Sequence, residues 1–251
     1  MVICDVFVVY EKEWKGKPMN FGNEKPMTLF SSEGNLGQCD NALRAAINGS
    51  LSIGACADDG CVIVSFRDVT PLVVKKEVRK VFRICDTIGC TYSGLQPDCR
   101  IQVGIGCEIA EDYYDVYGRY PDVDVFVAHF SSVVQEYTQK GGYRPFGTLM
   151  IFVGPVKGVP KVYQVDPSGS YQTKDVCASG FGYAEAKKFV SRRLEGLDDN
   201  VVSCVCSIRE YVGKEVKAED VDIGVYMKAQ NVFKIYGEEE VKEVFDSLSR
   251  D

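Results

Sequence analysis

Near the middle of the chain lies the sequence Gln135-Glu136-Tyr137-Thr138-Gln139-Lys140-Gly141-Gly142-Tyr143-Arg144-Pro145-Phe146-Gly147. Upstream of the glycines, apolar residues recur at three- and four-residue steps over residues 123–137, which predicts one face of an amphipathic helix. The paired glycines Gly141 and Gly142 favour a left-handed C-cap that ends this helix, and Pro145 prevents its continuation. The apolar run over residues 147–155 predicts a buried strand. The stretch is therefore predicted to form a corner between a helix and a central strand.

The chain has 251 residues, long enough for one large domain or two small ones. No linker rich in Pro, Gly or Ser divides it, so we predict one domain over residues 28–251. Residues 1–27 are predicted to form an N-terminal arm, because charges are mixed with Gly and Pro over residues 11–27. The formal net charge is −7. This acidic balance argues against nucleic acid and anionic membrane as the main partners, since both need a concentrated basic surface.

The chain contains eleven cysteines, an odd number without paired metal-type spacing. Free thiols packed as small hydrophobic side chains are therefore favoured over disulfides. The nearest approach to a ligand pair is Cys204 with Cys206, but in a helix their side chains point about 200° apart, which makes a zinc site improbable. The first ten residues are apolar, yet they lack a basic start and a cleavage site and are too short to span a bilayer. We expect neither a signal peptide nor a membrane anchor.

The predicted elements group strands with strands and helices with helices. The first half contains, in order, a helix (34–47), two strands (51–57 and 61–66), two further strands (80–86 and 89–93) and a long helix (96–117). After the corner, the order is again strands, two helices, two strands and a final acidic helix. Grouped strands alternating with grouped helices favour antiparallel sheets covered by helical layers over an alternating parallel fold. The predicted fold class is α+β.

Motifs of the commonest catalytic mechanisms are missing from the sequence, which has no GxSxG, HExxH or GxxxxGK[ST] pattern. The single histidine, His129, falls on the second long helix, and no motif places a Ser or Cys beside it. A structural role for it is favoured. Glu111 and Asp112 are interpreted as solvated helix residues rather than an acid–base pair.

Several motifs, taken in order, resemble one family. They are Tyr92-Ser93-Gly94 before Pro97-Asp98-Cys99-Arg100, then Gln135-Glu136-Tyr137-Thr138-Gln139 with Arg144-Pro145-Phe146-Gly147, and finally Asp166-Pro167-Ser168-Gly169. Together they resemble the α subunits of the 20S proteasome over residues 28–245, and the doubled glycine is most similar to the type-2 branch of eukaryotes. The resemblance implies the four-layer αββα sandwich of N-terminal-nucleophile hydrolases. It also implies fold and interface roles for five residues of the corner: Tyr137, Arg144, Pro145, Phe146 and Gly147.

Two roles must be separated within this family, because its β subunits are threonine proteases and its α subunits are not. A β-type enzyme exposes its nucleophile by cleavage after a glycine, and Gly49-Ser50 occupies that place. Lys80 falls where β enzymes keep a catalytic lysine, but Phe66 stands where they keep a carboxylate. We therefore expect a non-catalytic subunit. The alternatives are a peptidase that uses Ser50 and Lys80 after processing, and a free-standing scaffold of the same fold.

The position of Lys80 is similar to that of a pocket residue in α subunits. This pocket lies between neighbouring subunits and binds the C-terminal carboxylate of activators such as the regulatory ATPases. An ammonium on a partly buried strand end can form a charge-assisted bond worth roughly 1.5–3 kcal/mol with such a carboxylate. From the residues alone, a surface lysine is an equally good interpretation. The resemblance further implies a heptameric ring of α subunits, contacts with β subunits, a cytoplasmic and nuclear location, and no cofactor.

The N-terminal region departs from the family. α subunits usually begin with a short tail that fills the axial pore of the ring, and a Tyr, Asp, Pro and Tyr cluster holds its turn when the gate opens. The matching positions here are Asn23, Glu24, Ser32 and Asn41, which keep only one acidic residue. Residues 1–22 exceed the usual tail, and we hypothesise that they contribute to closing the gate.

Two helices are predicted to contact neighbouring subunits. One is the first helix, whose apolar positions Leu36, Ala42 and Leu43 are expected to be exposed in the chain and covered in a ring. The other is the long helix over residues 96–117.

Overall fold

The computed structural model describes residues 29–70 and 72–248, in which ten strands form two five-stranded sheets. The first sheet contains β1 (Ser52–Cys56), β2 (Gly60–Phe66), β8 (Val176–Ser179), β9 (Val221–Met227) and β10 (Val232–Ile235). Its strand order is β10-β9-β2-β1-β8, and every neighbouring pair is antiparallel.

The second sheet is built from β3 (Val81–Arg83), β4 (Gly89–Gly94), β5 (Thr148–Val156), β6 (Val159–Val165) and β7 (Tyr171–Thr173). These strands follow one another in sequence order, and all are antiparallel to their neighbours. β4 and β5 are buried along almost their whole length, so the corner over residues 135–147 leads into a central strand, as the sequence predicts.

Within residues 29–70 and 72–248, six α-helices accompany the sheets: α1 (Gly37–Ile47), α2 (Gln96–Tyr117), α3 (Val123–Gln139), α4 (Tyr183–Ser191), α5 (Leu197–Tyr211) and α6 (Glu238–Ser247). Single turns of 3₁₀-helix lie at Lys75–Glu77 and at Ala218–Asp220. In the described part of the chain, no helix is both long and apolar enough to cross a membrane.

Three apolar clusters define the layers. One lies between the first sheet and α4, α5 and α6, with residues such as Val64 and Val205 at its centre. A second joins α2 and α3 to the second sheet around Phe126 and Phe152. The third lies between the two sheets and includes Ile63 and Ile151. Helices on both outer faces of two packed antiparallel sheets confirm the α+β class and the αββα sandwich.

The corner after α3 differs in one respect from the prediction. The helix ends at Gln139, and Lys140 already has extended backbone angles. Only the second glycine is left-handed, with φ of 86° at Gly142, and the amide of Tyr143 donates a hydrogen bond back to the carbonyl of Lys140 at 3.2 Å. A tight turn after the helix, rather than a glycine cap on it, therefore redirects the chain.

Local predictions failed in three other places. α1 begins at Gly37 rather than Gly34, because the residues before it form a separate turn. In this turn the Ser31 hydroxyl accepts hydrogen bonds from the amides of Glu33 and Asn35. β3 spans only Val81–Arg83. β8 is absent from the sequence-based prediction, since its four residues are recognisable only through their pairing with β1.

Candidate functional site

Lys80 lies immediately before β3, at the strand end where the sequence places it, but deeper than predicted. The residue is only 5% exposed. Its ammonium nitrogen lies 3.6 Å from the centroid of the Tyr92 ring, which β4 presents from the adjacent strand. An ammonium over the face of an aromatic ring is attracted by the ring's negative face, so Tyr92 partly replaces the water that Lys80 has lost.

The backbone of Lys80 is held on both sides. Its amide donates a hydrogen bond of 2.6 Å to Oδ2 of Asp222 on β9, and its carbonyl accepts one of 2.9 Å from the hydroxyl of Thr91 on β4. The other carboxylate oxygen of Asp222 accepts a hydrogen bond from the Arg67 guanidinium, just beyond β2. The carboxylate of Asp222 is therefore bonded both to the backbone amide of Lys80 and to Arg67. The backbone N–H and C=O groups of Lys80 are both hydrogen-bonded.

Burial lowers the pKa of Lys80 to about 8, because the charged form has lost its hydration. Electrostatic interactions with Cys99, Asp222 and Asp68 act in the opposite direction but do not restore the ordinary value. The buried Tyr92 phenol has its pKa raised, first by burial and then by the neighbouring Cys99 and Asp222. The pair is thus a poorly hydrated ammonium above a neutral phenol.

The surroundings of Ser50 differ from those of Lys80. Ser50 is half-buried and, with Gly49, Phe66 and Phe181, lines a cavity of about 250 Å³. Phe66, at the position where β enzymes have a carboxylate, is 6% exposed and packs into the core under α5. Among the described residues, no hydrogen bond joins Ser50 to Lys80. The position that holds a carboxylate in β enzymes is therefore filled here by an aromatic core residue.

The corner residues contact the start of α2. Arg144 donates hydrogen bonds from its two terminal nitrogens to Asp98, at 2.6 and 2.9 Å, and the amide of Gly147 donates to the same carboxylate at 2.8 Å. Burial disfavours the charge on Asp98, but Arg144 and the Gly147 amide outweigh it and hold the pKa of that carboxyl below its usual range. The carbonyl of Pro145 accepts a further hydrogen bond from Arg144 at 3.0 Å.

The aromatic residues of the corner pack on one another. The ring of Tyr137 lies 4.4 Å from that of Phe146 and 5.0 Å from that of Tyr143, centroid to centroid. Phe146 is buried at 4% exposure, whereas Tyr143 is exposed. These contacts lie within the chain and fix the direction in which α3 leads into β5. The interface role implied for the five corner residues stays a prediction.

Sequence reasoning missed three residues of these two sites: Asp98, Asp222 and Tyr92. Asp98 and Tyr92 both belong to motifs that carried the family resemblance, but nothing in a sequence tells which distant side chain an acid or a ring will contact. Asp222 lies in β9, just after the 3₁₀ turn at Ala218–Asp220, and belongs to no motif that could have identified it.

The four positions matched to the gate turn are only partly described. Asn23 and Glu24 lie outside the described residues. Ser32 and Asn41 are both exposed, the first in the turn before α1 and the second on α1. The structure forms no hydrogen bond between those two side chains.

The helices predicted to contact neighbours expose different amounts of apolar surface. Leu36, Ala42 and Leu43 are half-buried rather than exposed, and Leu43 packs against the cluster between the sheets. α2, in contrast, exposes several large apolar side chains: Ile101, Tyr114, Val116 and Tyr117. The prediction that the apolar positions of the first helix are exposed is therefore wrong.

Two further predictions concern groups able to bind metal or transfer protons. His129 is exposed on α3. Across residues 29–70 and 72–248, no group of three or more His, Cys, Asp or Glu side chains is arranged to hold a metal ion.

Comparisons with known proteins agree with this architecture. A family model described as "Proteasome subunit" matches residues 47–225. A proteasome subunit alpha type-2 of Oryza sativa is 32% identical over 226 residues, covering 88% of this chain and 96% of the rice protein. Proteins of the same name from Trypanosoma brucei brucei and Drosophila melanogaster are 31% and 33% identical over 226 residues, covering 97% and 96% of their own lengths.

Proposed function

Since the chain belongs to the proteasome subunit family, we propose that it is a non-catalytic subunit of the α ring of the 20S core particle. The observation that carries this proposal is the near-complete alignment with relatives named proteasome subunit alpha type-2. The alignment covers 96–97% of the length of those relatives. We therefore assign this chain the role of an entire α subunit rather than that of one part of it. Membership of the family also means assembly with other proteasome subunits.

The non-catalytic role is supported by the residues at the positions that β enzymes use. Phe66 cannot act as a carboxylate, and it is packed in the core. The ammonium of Lys80 lies over Tyr92, 3.6 Å from the ring centroid, and among the described residues no hydrogen bond joins it to Ser50. Ser50 follows α1 directly through Asn48 and Gly49, so its nitrogen would become a free base only if the chain were cleaved after Gly49. A peptidase using Ser50 and Lys80 is the less favoured alternative.

We further propose that Lys80 receives the C-terminal carboxylate of an activator at a boundary with a neighbouring subunit. The ammonium has lost most of its hydration, and the nearby carboxylate of Asp222 is occupied by Arg67 and by the backbone of Lys80. An incoming carboxylate would offset the unfavourable burial of the charge, which makes such a bond stronger than one at an exposed lysine.

The remaining parts of the proposal follow from the α-ring role. The chain would contribute one position of a seven-membered ring, contact β subunits on one side, and take part in gating through residues 1–22. Its place of action would be the cytoplasm and nucleus, as part of protein degradation.

Purification of the particle tests the proposal. The chain is tagged at its C-terminus in its own cells, isolated at low salt, and its assembly mass measured by native mass spectrometry, with the co-purifying chains identified. A particle containing other α-type and β-type subunits is the expected result. A monomer, or an assembly of this chain alone, would contradict the α-ring role.

A further inference from the structure

Two cysteines face one another across the β1–β2 hairpin. Cys56 is the last residue of β1, Cys61 is the second residue of β2, and the two are direct partners in the strand register. The amide of Ala57 donates to the carbonyl of Gly60 at 2.8 Å, whereas that of Cys56 turns away to Asp175 at 2.9 Å. Cys56 and Cys61 therefore form a non-hydrogen-bonded pair, the type in which opposing side chains approach most closely.

The two sulfur atoms are 3.2 Å apart. The Cα separation of a non-hydrogen-bonded pair, about 4.5 Å, falls within the range of about 4.4–6.8 Å found in disulfides. Only rotation of the side chains is needed to bring the sulfur atoms to bonding distance, so the backbone of the hairpin can stay in place. Both side chains lie in the layer between the sheets, with Cys61 in the core of that layer and Cys56 at its edge.

The two thiols differ in a way that suits stepwise oxidation. Cys56 is half-buried and Cys61 is fully buried. Cys61 donates a hydrogen bond to the sulfur of Cys56, which lowers the pKa of Cys56; the positive charge of Lys161 acts in the same direction, and burial opposes both. Burial raises the pKa of Cys61. The more accessible sulfur is thus also the more easily ionised one, and the thiolate is the form that reacts with oxidants.

We propose that Cys56 and Cys61 form a reversible oxidation site, in which a small hydroperoxide converts the pair to a disulfide. The Cys56 thiolate attacks one peroxide oxygen, the O–O bond breaks, and the alcohol or water leaves with a proton from solvent. Cys56 then carries a sulfenic acid. The sulfur of Cys61 attacks that of Cys56, the S–O bond breaks, and the departing hydroxide takes the Cys61 proton. Two thiols and one hydroperoxide yield a disulfide, one water and one alcohol.

The chain offers an internal control with the same exposure pattern. Cys204 is fully buried and Cys206 half-buried, so this pair matches Cys61 and Cys56 in burial. They are two residues apart on α5, where successive side chains diverge by about 100°, and cannot meet without unwinding the helix. A difference between the two pairs therefore reports the geometry of the hairpin and not general thiol reactivity.

Peptide mass mapping of the purified full-length chain tests the proposal. The folded chain is treated with hydrogen peroxide, denatured in excess N-ethylmaleimide and digested with trypsin. The hairpin cysteines fall in the peptide of residues 45–67 and the control pair in residues 194–209, with no other cysteine in either. After oxidation, the hairpin peptide should be lighter by two hydrogens and carry no maleimide. Its disulfide should form at least about tenfold faster than any disulfide of the control pair. If dithiothreitol is added before alkylation, the hairpin peptide should carry two maleimide groups.

Cys61→Ser separates the two steps. This variant should accumulate a sulfenic acid on Cys56 that dimedone traps, and Cys56→Ser should leave Cys61 unmodified. Three results would overturn the proposal: two maleimide groups on the hairpin peptide after oxidation, closure no faster than in the control pair, or a link from Cys56 to Cys177, which stands opposite Gly54 on β8. The wild-type measurement decides the matter even if a variant fails to fold.

Discussion

Arg144 and Asp98, separated by 46 residues of sequence, form a two-pronged ion pair at 2.6 and 2.9 Å. The pair joins the corner after α3 to the first turn of α2, and the amide of Gly147 at the entry to β5 donates to the same carboxylate. One acidic side chain thereby fixes where two helices and a central strand meet.

Arg144→Ala should lower the free energy of unfolding by about 1–2 kcal/mol, since it removes two hydrogen bonds to a charged group. The loss is limited because the arginine side chain is 58% exposed and its charge is screened by solvent. Urea unfolding of the purified chain measures the change. Arg100→Ala, which alters an exposed residue on the same turn of α2, is the matched control and should shift stability little.

The same pair gives a pH dependence. The pKa of Asp98 is lowered in the folded chain, so its stabilisation is fully present above the ordinary aspartate pKa of about 3.9 and is lost as the pH falls through the lowered value. The stability difference between the wild type and Arg144→Ala should therefore shrink on acidification below about pH 4. A difference that stays constant down to acid unfolding would contradict the assigned ionisation of Asp98.

Lys80→Met should stabilise the isolated chain at pH 7. The folded pKa of Lys80 is about 8 against an ordinary 10.5, so its burial cost applies fully below pH 8 and fades by pH 10.5. Between about pH 8 and pH 10.5, Lys80 is protonated in the unfolded chain and neutral in the folded chain. The contribution of Lys80 to the free energy of unfolding therefore rises with pH over this range. Methionine removes the charge and keeps the length, which should add about 1–3 kcal/mol at pH 7 and little at pH 10.5.

The control for Lys80→Met is Arg79→Met, at the exposed neighbouring position. It should leave the pH profile of unfolding unchanged. If Lys80→Met instead destabilises the chain at pH 7, the attraction between the ammonium and Tyr92 exceeds the cost of burial.

Activator docking is predicted to depend on the ammonium of Lys80. In the assembled particle, Lys80→Ala should weaken binding of an activator peptide that ends in a free carboxylate, without changing the mass of the particle. A peptide with an amidated C-terminus should bind weakly to both particles, because the charge-assisted bond is missing. Equal binding of the free-acid peptide to wild type and variant would exclude Lys80 as the docking residue.

The gating hypothesis predicts an effect of the N-terminal arm. Deleting residues 1–22 should raise the rate at which the assembled particle hydrolyses a short fluorogenic peptide, because closure of the pore would be weakened. A deletion that leaves the rate unchanged, with the particle intact, would count against a role for the arm in closure.

Much of the fold was predictable because its patterns are local. The bounds of α2 and the start of α3 agree with the sequence prediction, since Pro97 and the regular apolar spacing are recognisable within a few turns of helix. β8 was missed because its four residues become a strand only beside β1. The depth of Lys80 depends on the Tyr92 ring, and the role of Asp98 on Arg144. Such pairings arise from the folded arrangement of distant segments, which composition and spacing do not reveal.

The most direct test of the non-catalytic role is the intact mass of this chain within the assembled particle. An α-ring subunit keeps the residues before Ser50, so a mass close to that of the full chain, 27.8 kDa, is predicted. A chain that begins at Ser50, with a free amino group on that serine, would contradict this account and indicate a processed peptidase.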